Sequence, residues 1–138
     1  MKAVLKQNLL AIISLLVAFS ALAYNSWRNE LTEQNRNIRF AGFEIIQGIG
    51  ELERITYLIH FDKETIRNSP RDGWAVVLVL KDLSQLMSSK VAAKAQRLLD
   101  VWRAQWEGLG ENDESVREID AAIDALRMET LEVIRLLE

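Results

Sequence analysis

Few side chains in this 138-residue sequence can act chemically on a substrate. The sequence has one histidine, His60, and no cysteine, which excludes disulfide frameworks, thiolate metal sites and cysteine nucleophiles. The residue three positions before His60 is Tyr57, so the Glu-x-x-His pattern of di-iron helical bundles is absent. Glu51 and Glu53 are two residues apart and point to different faces of a helix. We therefore expect a non-enzymatic protein with no catalytic residues, no bound metal and no cofactor.

Two groups of residues are candidates for binding a small ligand. Trp74, Trp102 and Trp106 could line an aromatic ligand pocket between helices, although tryptophans at helical spacing more often belong to a core. Arg67 and Arg71 flank the predicted start of a helix, where free backbone N–H groups favour an anion such as a carboxylate or phosphate. Ordinary solvation of the loop is the alternative for this pair of arginines.

Charge is distributed unevenly along the chain. The formal net charge is −3, but Lys2 and Lys6 are the only charged side chains before Arg28, and all 20 acidic residues lie at or beyond Glu30. Affinity for nucleic acid comes mainly from a dense basic patch that contacts phosphates, and the sequence has none. We therefore expect no nucleic-acid partner.

The first segment has the length and composition of a membrane span. Residues 9–24 carry no charged side chain. Extension back to Val4 and forward to Trp27 gives about 20–24 residues, enough for one helix to cross a hydrocarbon layer of about 30 Å. The sequence therefore predicts a lipid bilayer as the partner of this helix.

The flanking residues predict how the span is oriented. Tyr24 and Trp27 come where aromatic residues lie at a membrane–water interface, and Lys2 and Lys6 precede the span, which holds the amino terminus in the cytoplasm. We therefore predict a signal anchor over residues 1–27 that crosses the bacterial inner membrane once. The domain that follows is then periplasmic.

A cleaved secretory signal peptide is the main alternative to an anchor, and a buried helix of a soluble protein is a third. Ala21-Leu22-Ala23 has the small-x-small pattern of a cleavage site just before Tyr24. Against cleavage, no glycine or proline interrupts the helix before this site, and helical periodicity continues after Trp27. Both the anchor and the signal peptide export the rest of the chain.

Apolar spacing after the span predicts four helices, at about residues 28–60, 70–87, 89–108 and 113–137. Apolar residues recur every seven positions in the first of them and form what we call the heptad seam: Leu31, Ile38, Ile45, Leu52 and Ile59. The remaining three begin at capping signals around Pro70, Ser88 and Asn112. We therefore predict an all-α fold in which a transmembrane helix (residues 1–27) continues into an up-down four-helix bundle (residues 28–138).

The first predicted helix is longer than the other three. Its membrane-proximal part, residues 28–40, which we call the stalk, extends beyond their reach at about 1.5 Å per residue. Apolar seam positions with an interspersed asparagine are typical of helices that pair in a fixed register. We predict an interface with a second copy or with another membrane or periplasmic protein, formed by Leu31, Asn35, Ile38, Gly42 and Ile45. The alternative is a polar helix that the fourth helix covers.

Two classes of function remain. The first is an interaction protein, an accessory subunit held by its anchor beside a membrane-associated complex. The second is a periplasmic ligand-binding module that signals through a partner, because an anchor followed by an exported four-helix bundle resembles in outline the input half of bacterial chemoreceptors and sensor kinases. Exposed apolar surface along the first helix would favour assembly, and a closed cavity among the tryptophans would favour ligand binding.

Overall fold

The computed structural model describes residues 8–61 and 70–137, and these residues form four α-helices with no β-strand among them. The helices are α1 (Leu9–Phe61), α2 (Pro70–Ser84), α3 (Ser89–Gln105) and α4 (Asp113–Leu136), and a short 3₁₀ turn, Trp106–Gly108, follows α3. The predicted all-helical fold class is confirmed.

The chain divides into two compact units, Met1–Arg36 and Asn37–Glu138, whereas the sequence placed the boundary after residue 27. In the first unit, α1 contains a stretch long and apolar enough to cross a membrane, and none of that stretch is buried. Tyr24 and Trp27 are exposed on α1. The two lysines predicted to orient the span, Lys2 and Lys6, lie outside the described residues.

Short-range hydrogen bonds explain where α3 and α4 begin. The Ser88 hydroxyl accepts a hydrogen bond from the backbone N–H of Val91 at 3.3 Å, and the Asn112 side chain accepts one from the N–H of Glu114 at 3.0 Å. Each cap satisfies a backbone donor that has no partner within its own helix. The sequence left Ser88 or Ser89 and Asn112 or Asp113 as the candidates, and the structure has Ser88 and Asn112 as the caps.

The second helix is shorter than predicted. It ends at Ser84 and not at residue 87, because the Ser84 hydroxyl donates to the carbonyl of Lys81 at 2.6 Å and the chain turns there. The backbone N–H groups of Gln85, Leu86 and Met87 each bond to the carbonyl three residues earlier, the pattern of a tight turn. Similarly, α3 ends at Gln105, and the predicted end at residue 108 falls in the 3₁₀ turn.

The hydrophobic core of the second unit takes residues from all four helices. In α1 the heptad seam enters it at Ile45 and Leu52, which are fully buried. The other fully buried large side chains of the core are Ile49, Val77, Leu80, Val91, Leu98, Trp102, Leu109, Ile119, Ile123 and Leu126. Burial of each such side chain contributes about 1.5–3 kcal/mol, so this core accounts for most of the stabilisation that holds the helices together.

Glycines allow large side chains to approach the helix backbones. A Cβ on Gly48 of α1 would lie 2.8 Å from Cδ2 of Leu80 in α2. The tightest approach is in α2, where a Cβ on Gly73 would overlap the benzo ring of Trp102 from α3. Because Trp102 is fully buried, its ring has little room to move aside.

We expect Gly73→Ala to destabilise the protein by about 1–3 kcal/mol, because the added methyl group overpacks the core against Trp102. Gly50→Ala is the matched control, since a Cβ on Gly50 has no neighbour within 4 Å. That substitution should stabilise by about 0.5–1 kcal/mol, because alanine is the better helix former. Urea unfolding of the full chain in detergent micelles measures both, and equal effects of the two substitutions would contradict the packing described here.

Candidate functional site

The three tryptophans proposed as a ligand pocket belong to the core and its edge. Trp102 is fully buried. Trp74 and Trp106 pack against the core, and their rings meet edge to face with centroids 6.2 Å apart. Three cavities on the described part of the chain are lined by residues other than these tryptophans.

Only one half of the candidate anion site can be located. Arg71 lies in the first turn of α2, with its side chain exposed. Arg67 lies outside the described residues. The pairing of these two arginines around an anion therefore stays a prediction.

His60 joins the end of α1 to the start of α4. Its Nδ1 donates to the carbonyl of Leu109 at 2.9 Å, and its Nε2 lies 3.2 Å from Oδ1 of Asp113. The imidazole side chain is only 14% exposed, although the Asp113 carboxylate is open to solvent. Arg117, one turn after Asp113 on α4, pairs with Glu114 at 2.5 Å. His60 thus serves as a structural link between helix ends.

The residues predicted to contact a partner fall into two sets. Leu31 and Asn35 are exposed on α1, and Ile38 is half-buried. Gly42 and Ile45 are buried against the chain's own side chains, and a Cβ on Gly42 would lie 2.7 Å from Cδ1 of Ile134. Gly42 and Ile45 therefore pack within the chain's own helical domain, and an interface with a partner stays a prediction.

Sequence reasoning missed a cavity of about 270 Å³ between α1 and α4. We call it the acidic-aromatic cavity after its acidic and aromatic side chains. The residues that line it are Glu53, Thr56, Tyr57, Phe61, Val116, Asp120 and Asp124. Its two halves lie about sixty residues apart in the chain. The only local signal was that Asp120 and Asp124 stand one turn apart on α4.

One arginine serves two of the three carboxylates of this cavity. Nη2 of Arg127 lies 2.5 Å from Oε1 of Glu53, and its Nη1 lies 2.6 Å from Oδ1 of Asp124. The hydrogen bond to Glu53 is the main reason why the pKa of Arg127 lies above its ordinary value, and the charges of Glu53 and Asp124 add to it. Arg127 therefore connects α1 to α4 at the cavity.

The third carboxylate, Asp120, makes no ion pair within the described ranges. Partial burial raises its pKa above the ordinary value, the charges of Glu53 and Asp124 raise it further, and His60 opposes them. The folded protein therefore holds a proton on Asp120 more tightly than the unfolded chain does. At neutral pH the ionised Asp120 carboxylate costs stability.

No family model matches this chain, and neither the curated proteins nor the solved structures contain a match to it.

We expect Asp120→Asn to make the protein more stable than the wild type at pH 7, because the amide removes an unfavourable charge. Since the pKa of Asp120 is raised on folding, the wild type loses stability as the pH rises through the window above the ordinary value of 3.8. The difference between the two proteins should therefore vanish near about pH 3, where Asp120 is protonated in both states.

Melting temperatures measured across this pH range test the expectation. The matched control is Asp100→Asn on α3, which removes an exposed carboxylate that lies 3.4 Å from Arg103 and should not stabilise the protein at pH 7. A lower melting temperature for Asp120→Asn than for the wild type at pH 7 would show that Asp120 has a stabilising partner.

Proposed function

We propose that this chain is a non-enzymatic membrane protein with a single span, whose helical domain acts as an interaction subunit of a membrane-associated complex. One observation carries the proposal. The heptad seam that is fully buried at Ile45 and Leu52 continues to Leu31, where the side chain is 42% exposed.

The exposed end of the seam has the composition of a pairing helix. Leu31 and Ile38 supply apolar contacts one heptad apart, and Asn35 lies between them on the same face. A polar residue at such a position fixes the register of two helices at some cost in stability. The partner is a helix of another membrane or periplasmic protein, or a second copy of this chain.

The alternative function, ligand binding among the tryptophans, has less support. A closed cavity at Trp74, Trp102 and Trp106 was the feature expected of it. Trp102 instead fills the core and lies against the backbone of Gly73. Assembly is therefore the function that we propose.

The proposal includes an up-down arrangement of the four helices within residues 37–138. Nη2 of Arg39 donates to the carbonyl of Leu137 at 2.6 Å, and His60 contacts Leu109 and Asp113. These contacts bring Arg39 of α1 to the end of α4 and His60 of α1 to its start, which is the pattern of antiparallel neighbours. The four-residue connection between α2 and α3 supports the same arrangement, because short loops join antiparallel helices.

The proposal also places the protein in the bacterial inner membrane, with a cytoplasmic amino terminus and a periplasmic domain. Lys2 and Lys6 precede the apolar stretch of α1, and Tyr24 and Trp27 follow it. Positive charge before a span favours the cytoplasm for that end, and aromatic residues favour the interface.

Crosslinking in native membranes tests the partner. The chain has no cysteine, so each substitution Leu31→Cys, Asn35→Cys or Ile38→Cys introduces a unique thiol. We expect a short thiol-reactive crosslinker to capture one discrete species from these three positions, because all three lie on the face of the seam. Mass spectrometry of the captured species identifies it as a second copy or as a different protein.

Cysteines on the opposite face of the same helix are the matched controls. Asn29→Cys and Glu33→Cys should give little or none of the captured species. Equal capture from both faces would indicate random collision, and no capture from the seam would remove the proposed interface.

An uncleaved anchor predicts the mass of the protein in membranes. We expect intact-mass spectrometry of carboxy-terminally tagged protein, extracted with a mild detergent, to show a chain that retains residues 1–23. Cleavage after Ala23 would instead yield a chain that begins at Tyr24 and separates from the membrane, because the apolar stretch would be lost. That result would overturn the anchor and leave a soluble exported domain.

A further inference from the structure

The acidic-aromatic cavity has an excess of negative charge. Glu53 and Asp124 share one guanidinium, that of Arg127, and Asp120 has no ion pair in the parts of the chain that the structure describes. Partial burial is the main reason why the pKa of Asp120 is raised, and the charges of Glu53 and Asp124 raise it further, against the opposing effect of His60. A second cation in the cavity would relieve this repulsion.

Two aromatic rings stand beside these carboxylates. Tyr57 and Phe61 lie one turn apart on α1, with ring centroids 4.8 Å apart, and their side chains are 61% and 64% exposed. Large aromatic side chains are usually buried for most of their surface. Aromatic faces attract organic cations through the ring quadrupole, so the rings and the carboxylates favour the same kind of ligand.

Thr56 supplies a polar group that has no partner. Threonines within helices commonly bond to the carbonyl four residues earlier, as Thr32 and Thr130 do here at 2.9 and 2.8 Å. The hydroxyl of Thr56 makes no such bond, although Thr56 is only 2% exposed. Buried hydroxyls without a partner are rare, and this one belongs to a residue that lines the cavity.

We propose that the acidic-aromatic cavity binds an organic cation, a primary ammonium or guanidinium group on an alkyl chain. The described residues include no group of three or more carboxylate or histidine side chains that could hold a metal ion, which favours an organic cation. The volume of about 270 Å³ lies below the range of about 300–1,000 Å³ that is typical of larger ligands and suits one such group. A free amine and a lysine or arginine side chain of another protein share this chemistry.

Binding can be measured by nuclear magnetic resonance on the full chain in a maltoside detergent. Choline head groups must be avoided, because they are organic cations and would compete for the site. The probes are butylammonium and butylguanidinium, and 1-butanol is the neutral control of similar shape. We expect the two cations to cause saturable shifts of the amide signals of Glu53, Tyr57 and Asp120, and we expect butanol to cause none.

Variants distinguish specific binding in the cavity from a general attraction of cations to the acidic surface. Asp120→Asn should weaken cation binding by about tenfold, because it removes a charged hydrogen-bond acceptor. Tyr57→Leu should weaken binding by a few fold, because it keeps apolar area but removes the ring quadrupole. Asp100→Asn on α3 should leave the affinity unchanged. Equal affinities for all four proteins, shifts that do not saturate, or equal effects of butanol would each overturn the proposal.

A last comparison distinguishes the two sources of the cation. A short peptide with one central lysine is titrated against the same protein, with norleucine replacing lysine in the control peptide. Tighter binding of the lysine peptide than of butylammonium would support the site and assign the cation to a protein partner. Equal affinities would support the site and assign it to a free amine, and equal binding of the norleucine peptide would contradict it.

Discussion

Close approach of large side chains to glycine backbones is the constraint on which the helical domain depends. The indole of Trp102 lies against Gly73, Leu80 against Gly48, and Ile134 against Gly42. In each contact, an apolar side chain of one helix lies closer to the backbone of another part of the chain than a Cβ on the glycine would allow. In interiors packed as densely as organic crystals, such contacts restrict which rotamers and helix positions are possible. The buried faces of the helices therefore have one favourable arrangement, and the polar contacts at their ends form as a consequence.

A single helix carries two kinds of apolar surface. Between residues 9 and 24 the apolar side chains of α1 are exposed on all sides, as a lipid-facing segment requires, whereas Ile45 and Leu52 are buried by protein. The stalk, between the apolar stretch and the buried residues of α1, is mostly polar. Leu31 and Ile38 in the stalk continue the seven-residue spacing of Ile45 and Leu52. Apolar surface that is exposed within a polar segment is costly in water, and the partner helix that we propose would cover it at Leu31.

Several polar contacts between helices join α1 to α4 in the described part of the chain. Arg39, Glu53 and His60 of α1 contact Leu137, Arg127 and Asp113, which lie at the end, the middle and the start of α4. Ion pairs of this kind are partly exposed and contribute little stability individually, so their role is to select a register and not to hold the fold together. The acidic-aromatic cavity lies beside the contact of Glu53 with Arg127. It has three carboxylates, Glu53, Asp120 and Asp124, but only one of the paired cations, Arg127.

The sequence by itself determined what depends on neighbours within a few residues. The four helices, the helix starts near Ser88 and Asn112 and the apolar stretch of α1 all follow from local patterns, because backbone hydrogen bonds and side-chain contacts within a helix join residues close in the chain. Tertiary structure decided the rest. The partners that pack on Gly42 and Ile45 came only from the tertiary structure, which also decided between core and pocket as the place of Trp102. The acidic-aromatic cavity could not be predicted for the same reason. The residues of α1 that line it, and the charge of Glu53 that acts on Asp120, lie about sixty positions away in the chain.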